Sequence, residues 1–239
     1  IIEVFTDAKA LAVLEGMTTN KQTELVGKLT NAKGATFMEG TSVIGATAVI
    51  TGMAVAKSTA VLELTLTSRA ADIIEGLSIS KTAAIVEGIS DTKVAAIVEV
   101  MSADSAGTVL EAVTITKAVQ VVELVGDIKA AQVLTAADLT RATAVLEEVT
   151  KAKAGSILTQ TTNTRLVEVV GAMAVTKLIE RIPEMTVSKL FDFAGSNQQV
   201  LFQRLSTVNA EHLSPEVVPT VAVTGLNVVG AAPGKVTYE

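Results

Sequence analysis

A twelve-residue repeat constrains this chain more than any other feature. Three successive copies read RAADIIEGLSIS, KTAAIVEGISDT and KVAAIVEVMSAD, from Arg69 to Asp104. The same frame holds without insertion or deletion from Lys9 to Ser188, which makes fifteen successive units. A short unit repeated in this way cannot bury its apolar face alone, so the pattern predicts an array of stacked units.

Each position of the unit has its own chemistry. Position one is Lys or Arg in 13 of the 15 units, with Gly45 and Ser105 as the exceptions. Positions two, five, six and nine are mostly apolar or small, and this i, i+3, i+4, i+7 spacing is the buried stripe of a helix. At position five, only Arg181 breaks the apolar pattern. The unit therefore predicts one helix of roughly nine residues, about 13 Å long.

Position ten marks the boundary between one helix and the next. It is Ser, Thr or Asp in 11 units. These side chains accept hydrogen bonds from the free N–H groups of a first helical turn, which predicts an N-cap for the following helix. Examples are Thr18, Thr30, Ser78, Ser90, Ser102, Thr114, Asp138 and Thr186.

These elements predict an all-α fold. A helix this short is unstable alone in water, so we expect each one to pack on the units before and after it. The architecture predicted is an α-solenoid, a right-handed superhelix of about 15 single-helix repeats. We assign the solenoid to residues 1–188, with a partial repeat at 1–8, then a helical end cap at 189–214 and a Pro-containing extended tail or β-arm at 215–239.

Charged residues recur in two rows. Glu occupies position seven at Glu63, Glu75, Glu87, Glu99, Glu111, Glu123 and Glu147, and the basic residues occupy position one. We interpret the rows as solvated charge ladders that fix the register of stacking. The alternatives are a ladder of divalent-cation ligands and an ionic seam between subunits.

Composition argues against several classes of function. The chain has no Cys and a single histidine, His212, so it offers neither a thiolate metal site nor a catalytic triad, and we expect no enzyme activity, metal or cofactor. Basic residues are spaced singly and the net charge is −6, so we expect no nucleic-acid partner. The uncharged runs at 40–56 and 217–234 are interrupted by Gly or Pro, so we expect no transmembrane segment.

The repeat resembles known short-helix arrays. Its S/T-x-x-K/R-A-A-x-I/V-V/L-E pattern is similar to the acidic twelve-residue repeat in the N-terminal domain of MgtE-type magnesium transporters, and to repeats of the flagellar motor switch protein. Here position one is basic and the proline after the cap is absent. The pattern also resembles repeats of secreted archaeal and bacterial surface proteins, in which a helical array precedes a Pro-rich junction and a β-rich domain.

These features together predict a structural role. The sequence begins within a repeat, and Ile1, Ile2 and Phe5 would form an open apolar end, while Phe191, Phe193 and Phe202 lie near the other end. We expect these six residues to form an assembly interface of an extracellular or cell-surface protein, a homo-oligomer that polymerises head to tail into a filament, tube or surface layer. The alternative is a monomeric solenoid that binds a protein partner or senses Mg²⁺, as the transporter resemblance implies.

Overall fold

The computed structural model describes residues 7–186 and 188–189. These residues form one short α-helix in each repeat, followed by a 3₁₀ helix at Ile182–Glu184, and they contain no strand. The all-α solenoid prediction is confirmed. The helices are α1 Asp7–Glu15, α2 Thr19–Lys28, α3 Asn31–Gly40, α4 Val43–Gly52, α5 Val55–Leu64, α6 Thr67–Glu75, α7 Ile79–Gly88, α8 Asp91–Val100, α9 Ala103–Ala112, α10 Ile115–Leu124, α11 Asp127–Ala136, α12 Leu139–Glu148, α13 Lys151–Gln160, α14 Asn163–Ala172 and α15 Val175–Arg181.

Two extended residues separate most consecutive helices. Most helices begin at position eleven of one unit and end at position eight of the next. Between α7 and α8, for example, Ile89 has φ −75° and ψ 146°, and Ser90 has φ −58° and ψ 145°. Because both linker residues have extended ψ values, the chain changes direction after every helix.

Side-chain caps begin most of the helices, as position ten predicts. The hydroxyl of Ser90, for example, accepts from the Lys93 N–H at 3.3 Å. The prediction was wrong at Thr18, whose side chain makes no cap bond. Equivalent caps form at Thr30, Ser42, Ser78, Ser102, Thr114, Asp138, Thr150, Thr162 and Thr186.

The helices pack most extensively on the second helix along the chain. The pairs α9–α11, α8–α10, α6–α8 and α3–α5 show this arrangement. Adjacent helices also touch, as α2 and α3 do, so each unit packs on its neighbours as predicted, but the larger contact lies one unit further on. The extended linker explains this order, because it turns each helix away from its predecessor. Two helices therefore make one superhelical turn, and odd-numbered and even-numbered helices form separate stacks.

The apolar stripe lies between the stacks and forms a continuous aliphatic core. In α6, Ala70, Ile73 and Ile74, at positions two, five and six, are 0–2% exposed. Position-nine residues of the linkers, such as Ile89 and Met101, are buried in the same core. Burial at positions two, five, six and nine confirms the stripe predicted from the sequence.

Several predicted segments lie outside the described residues. These are the first six residues of the partial repeat, the end cap after Lys189 and the whole tail at 215–239. Over the described ranges, no helix combines the length and the apolar character needed to cross a bilayer.

Candidate functional site

The basic side chains at position one reach back to the preceding superhelical turn. Most of them donate to the backbone carbonyl of a position-nine residue 28 residues earlier, and we call this contact the basic inter-turn bond. Because the offset is constant, the helices of a stack run parallel and in register. The donors are Lys57, Arg69, Lys81, Lys93, Lys117, Lys129, Arg141, Lys153, Arg165 and Lys189.

The position-seven glutamates reach in the opposite direction. Seven of them accept from the N–H of a position-ten residue 27 residues later, and we call this contact the acidic inter-turn bond. Glu63 shows the geometry, since its Oε2 lies 2.9 Å from the Ser90 nitrogen and its Oε1 lies 2.6 Å from the Ser90 hydroxyl. The other acceptors are Glu39, Glu87, Glu99, Glu111, Glu123 and Glu147.

Both bonds provide hydrogen-bond partners for backbone groups of the linkers. A linker between two helices exposes a carbonyl and an N–H that no helix can satisfy, and leaving such groups unpaired costs free energy. An ammonium supplies the missing donor and a carboxylate the missing acceptor, and bonds to charged groups are the stronger kind. A linker that makes both bonds, such as Ile89–Ser90, is therefore held by the turns on both sides of it.

Lys117 has a buried ammonium that combines the inter-turn bond with an ion pair. Its side chain is 7% exposed, donates to the Ile89 carbonyl and lies 2.7 Å from Asp91 Oδ1. Lys153 repeats the arrangement with Asp127 at 2.7 Å. Burial also lowers the pKa of Lys81 below its usual 10.5, because desolvation disfavours the charged form.

The interpretation of the rows as solvated charge ladders was wrong about the basic row. The basic groups are partly buried, and their main partners are backbone atoms of linkers. The glutamates are more exposed, but they too bind linker backbone. Sequence alone does not reveal these partners, because every residue has a carbonyl and an N–H, and their positions depend on the superhelical turn.

The hydrogen bonds of Arg181 explain why a basic residue occupies position five of its unit. It is 3% exposed and donates to the carbonyls of Leu146, Glu147 and Val149. Val149 is the linker carbonyl that position one of the same unit, Lys177, would otherwise reach. Arg181 therefore supplies the basic inter-turn bond of its unit from position five.

At two places in the described part of the solenoid, neither the basic nor the acidic inter-turn bond forms. Gly45 and Ser105, the two position-one exceptions, would face the carbonyls of Met17 and Leu77. Within the described repeats, Met17 and Leu77 are the position-nine residues that are not buried. The helices that precede these two residues, α1 and α6, end at position seven of the unit, at Glu15 and Glu75, whereas most of the other helices end at position eight. Neither glutamate makes the acidic inter-turn bond, so the loss of one bond accompanies the loss of the other.

The structure does not place the predicted assembly residues. Ile1, Ile2, Phe5, Phe191, Phe193 and Phe202 all lie outside the described ranges, and so does His212. In the part of the chain that is described, no group of three or more His, Cys, Asp or Glu side chains is arranged to hold a metal ion.

The fold defines the class of protein, an α-solenoid of single-helix repeats joined by charged side-chain to backbone bonds. Comparison with protein-family models, with curated proteins and with solved structures gives no match.

Proposed function

We propose that this chain is a structural protein that assembles through the ends of its solenoid into a filament, tube or surface layer outside the cell. The observation that carries the proposal is the polarity of the inter-turn bonds. The basic residues reach back by 28 residues and the glutamates reach forward by 27. The two faces of a turn are therefore different and complementary, and contacts between unlike faces build open assemblies unless the rotation closes them.

Lys21 illustrates how a second copy would use such a face. It occupies position one, but it makes no basic inter-turn bond within the described residues. Its ammonium is instead exposed and pairs with Glu24 of the same helix at 3.3 Å. A preceding turn, whether of the same chain or of a second copy, would offer Lys21 a linker carbonyl. Exposed ion pairs within a helix contribute little to stability, so exchanging this partner costs little.

The extracellular assignment depends on the repeat pattern. The Lys-Ala-Ala-x-Ile-Val-Glu unit is similar to repeats of secreted surface proteins, in which a helical array precedes a Pro-rich junction. Pro215 and Pro219 follow the array at the corresponding place in this sequence. A core of aliphatic residues without Cys is also independent of the redox state of its surroundings.

We favour assembly over magnesium sensing because of the state of the acidic side chains. A sensing surface needs carboxylates that are free to coordinate a divalent cation. Seven of the position-seven glutamates instead accept hydrogen bonds from linker N–H groups. Coordination of a cation by these groups would break the bonds that hold the turns in register.

The test is a pair of charge substitutions at the apolar start of the chain, Ile2→Asp with Phe5→Asp. We expect the variant to sediment as a monomer at concentrations where the wild-type chain forms large species, while its circular dichroism stays helical. The matched control is Gln120→Asp, a new charge at an exposed position of α10. If the variant and the control assemble as the wild-type chain does, stacking through the solenoid ends is wrong.

A further inference from the structure

A groove lies where the α6–α7 linker faces α9, at one of the two places without inter-turn bonds. Its volume is about 140 Å³, and Glu75, Leu77, Thr82, Met101, Ser105 and Val109 are among its lining residues. A buried water needs only about 10–15 Å³ on the same measure, so the groove has room for a larger group. It is independent of the solenoid ends and of the assembly proposed above.

The polar groups of this groove lack the partner that their counterparts have. One repeat further along the chain, the Lys117 ammonium donates to the Ile89 carbonyl. The equivalent carbonyl of Leu77 accepts no hydrogen bond from the described residues, because position one is Ser105, whose short side chain accepts from the Ser102 hydroxyl at 2.8 Å. The Glu75 carboxylate likewise makes no bond in the described structure, although the other position-seven glutamates from Glu63 to Glu123 do.

We propose that this groove binds a primary alkylammonium group. The ammonium would donate to the Leu77 carbonyl, in the place that a lysine ammonium occupies in the other repeats. It would also donate to the Glu75 carboxylate, whose counterparts in those repeats accept from a linker N–H instead. Methylene groups of the ligand would lie against Leu77, Met101 and Val109, as the stem of a lysine side chain does when it is buried.

The chemistry of the groove favours an ammonium over a metal ion. Calcium takes six to eight oxygen ligands and magnesium requires near-octahedral geometry. This groove offers one carboxylate, one free carbonyl and a few hydroxyls, together with apolar walls. A primary ammonium has three donors and an alkyl stem, and it needs no complete shell of oxygen ligands.

Two kinds of ligand carry this group, a free alkylamine and a lysine side chain of another protein. The probes are therefore n-butylammonium and the peptide acetyl-Ala-Lys-Ala-amide, with tetramethylammonium as the control because it has the same charge and no N–H donor. Backbone NMR of the full chain at constant ionic strength measures both the affinity and the location of binding. Binding by the peptide would assign the groove to a protein partner, and binding by the free amine alone would assign it to small amines.

We expect n-butylammonium to cause saturable shifts confined to α6–α9, and tetramethylammonium to cause none. Glu75→Gln should weaken binding about tenfold, because the amide oxygen still accepts from the ammonium but the negative charge that strengthens this bond is lost. Ser105→Lys should abolish binding, since its own ammonium would occupy the groove, whereas Gln120→Lys adds the same charge at an exposed position and should leave binding unchanged. Equal responses to the two ammonium probes, or undiminished binding to Ser105→Lys, would overturn the proposal.

Discussion

Replacing Lys117 by Met tests the energetic role of the inter-turn bonds most sharply. Met keeps most of the aliphatic volume of the lysine stem, so the substitution removes the ammonium without leaving a large cavity. The lost contacts are the bond to the Ile89 carbonyl and the 2.7 Å pair with Asp91, around an ammonium whose side chain is 7% exposed.

The expected cost follows from these two contacts. A hydrogen bond to a charged group contributes about 1.5–3 kcal/mol. The Asp91 side chain is 34% exposed, so water partly replaces its lost partner and the pair adds at most about 1 kcal/mol. We therefore expect Lys117→Met to lower the free energy of unfolding by about 1.5–4 kcal/mol.

The matched control is Lys151→Met. The Lys151 side chain is 58% exposed and its ammonium lies 3.9 Å from Glu180, a geometry that contributes little. Urea unfolding of both variants gives the comparison, and hydrogen exchange shows whether the Lys117 variant loosens the α7–α8 linker first. If the two substitutions cost the same within about 0.5 kcal/mol, the basic inter-turn bond does not stabilise the stack.

Three further predictions can be checked by the same urea titration. Arg181→Leu restores the apolar pattern of position five, yet it should destabilise the protein by at least about 3 kcal/mol, because three carbonyls lose a buried donor. An unchanged free energy of unfolding would show that Arg181 does not stabilise the stack. Thr114→Ala should cost about 1 kcal/mol and Thr18→Ala almost nothing, since only Thr114 makes a cap bond; equal costs would contradict the cap assignment. Gly27→Ala should stabilise the protein by up to about 1 kcal/mol, because the added Cβ has no atom within contact distance. Gly155→Ala should destabilise it, because the added Cβ would overlap Glu184 of the 3₁₀ helix. The reverse order would contradict the packing of the 3₁₀ helix against α13.

The local structure could be predicted well because it depends on neighbouring residues. The stripe at positions two, five, six and nine and the caps at position ten are set within one unit, so periodicity alone identifies Ile73, Ile74 and Ser90 as core or cap. The repeat frame also predicted the correct number of helices in the described range.

Which units make the largest contacts could not be predicted, because that depends on the linker. Two extended residues set the two-helix turn, and only this turn places Lys117 beside a carbonyl 28 residues away. The absence of a basic residue at Ser105 is visible in the sequence, but its consequence for Leu77 and Glu75 depends on the geometry of the turn.

The measurement that tests self-assembly most directly is electron microscopy of the purified chain at neutral pH and micromolar concentration, with light scattering alongside. The proposed function predicts regular filaments, tubes or sheets, and scattering that rises with concentration. A dispersed population of single curved rods at every concentration would contradict it.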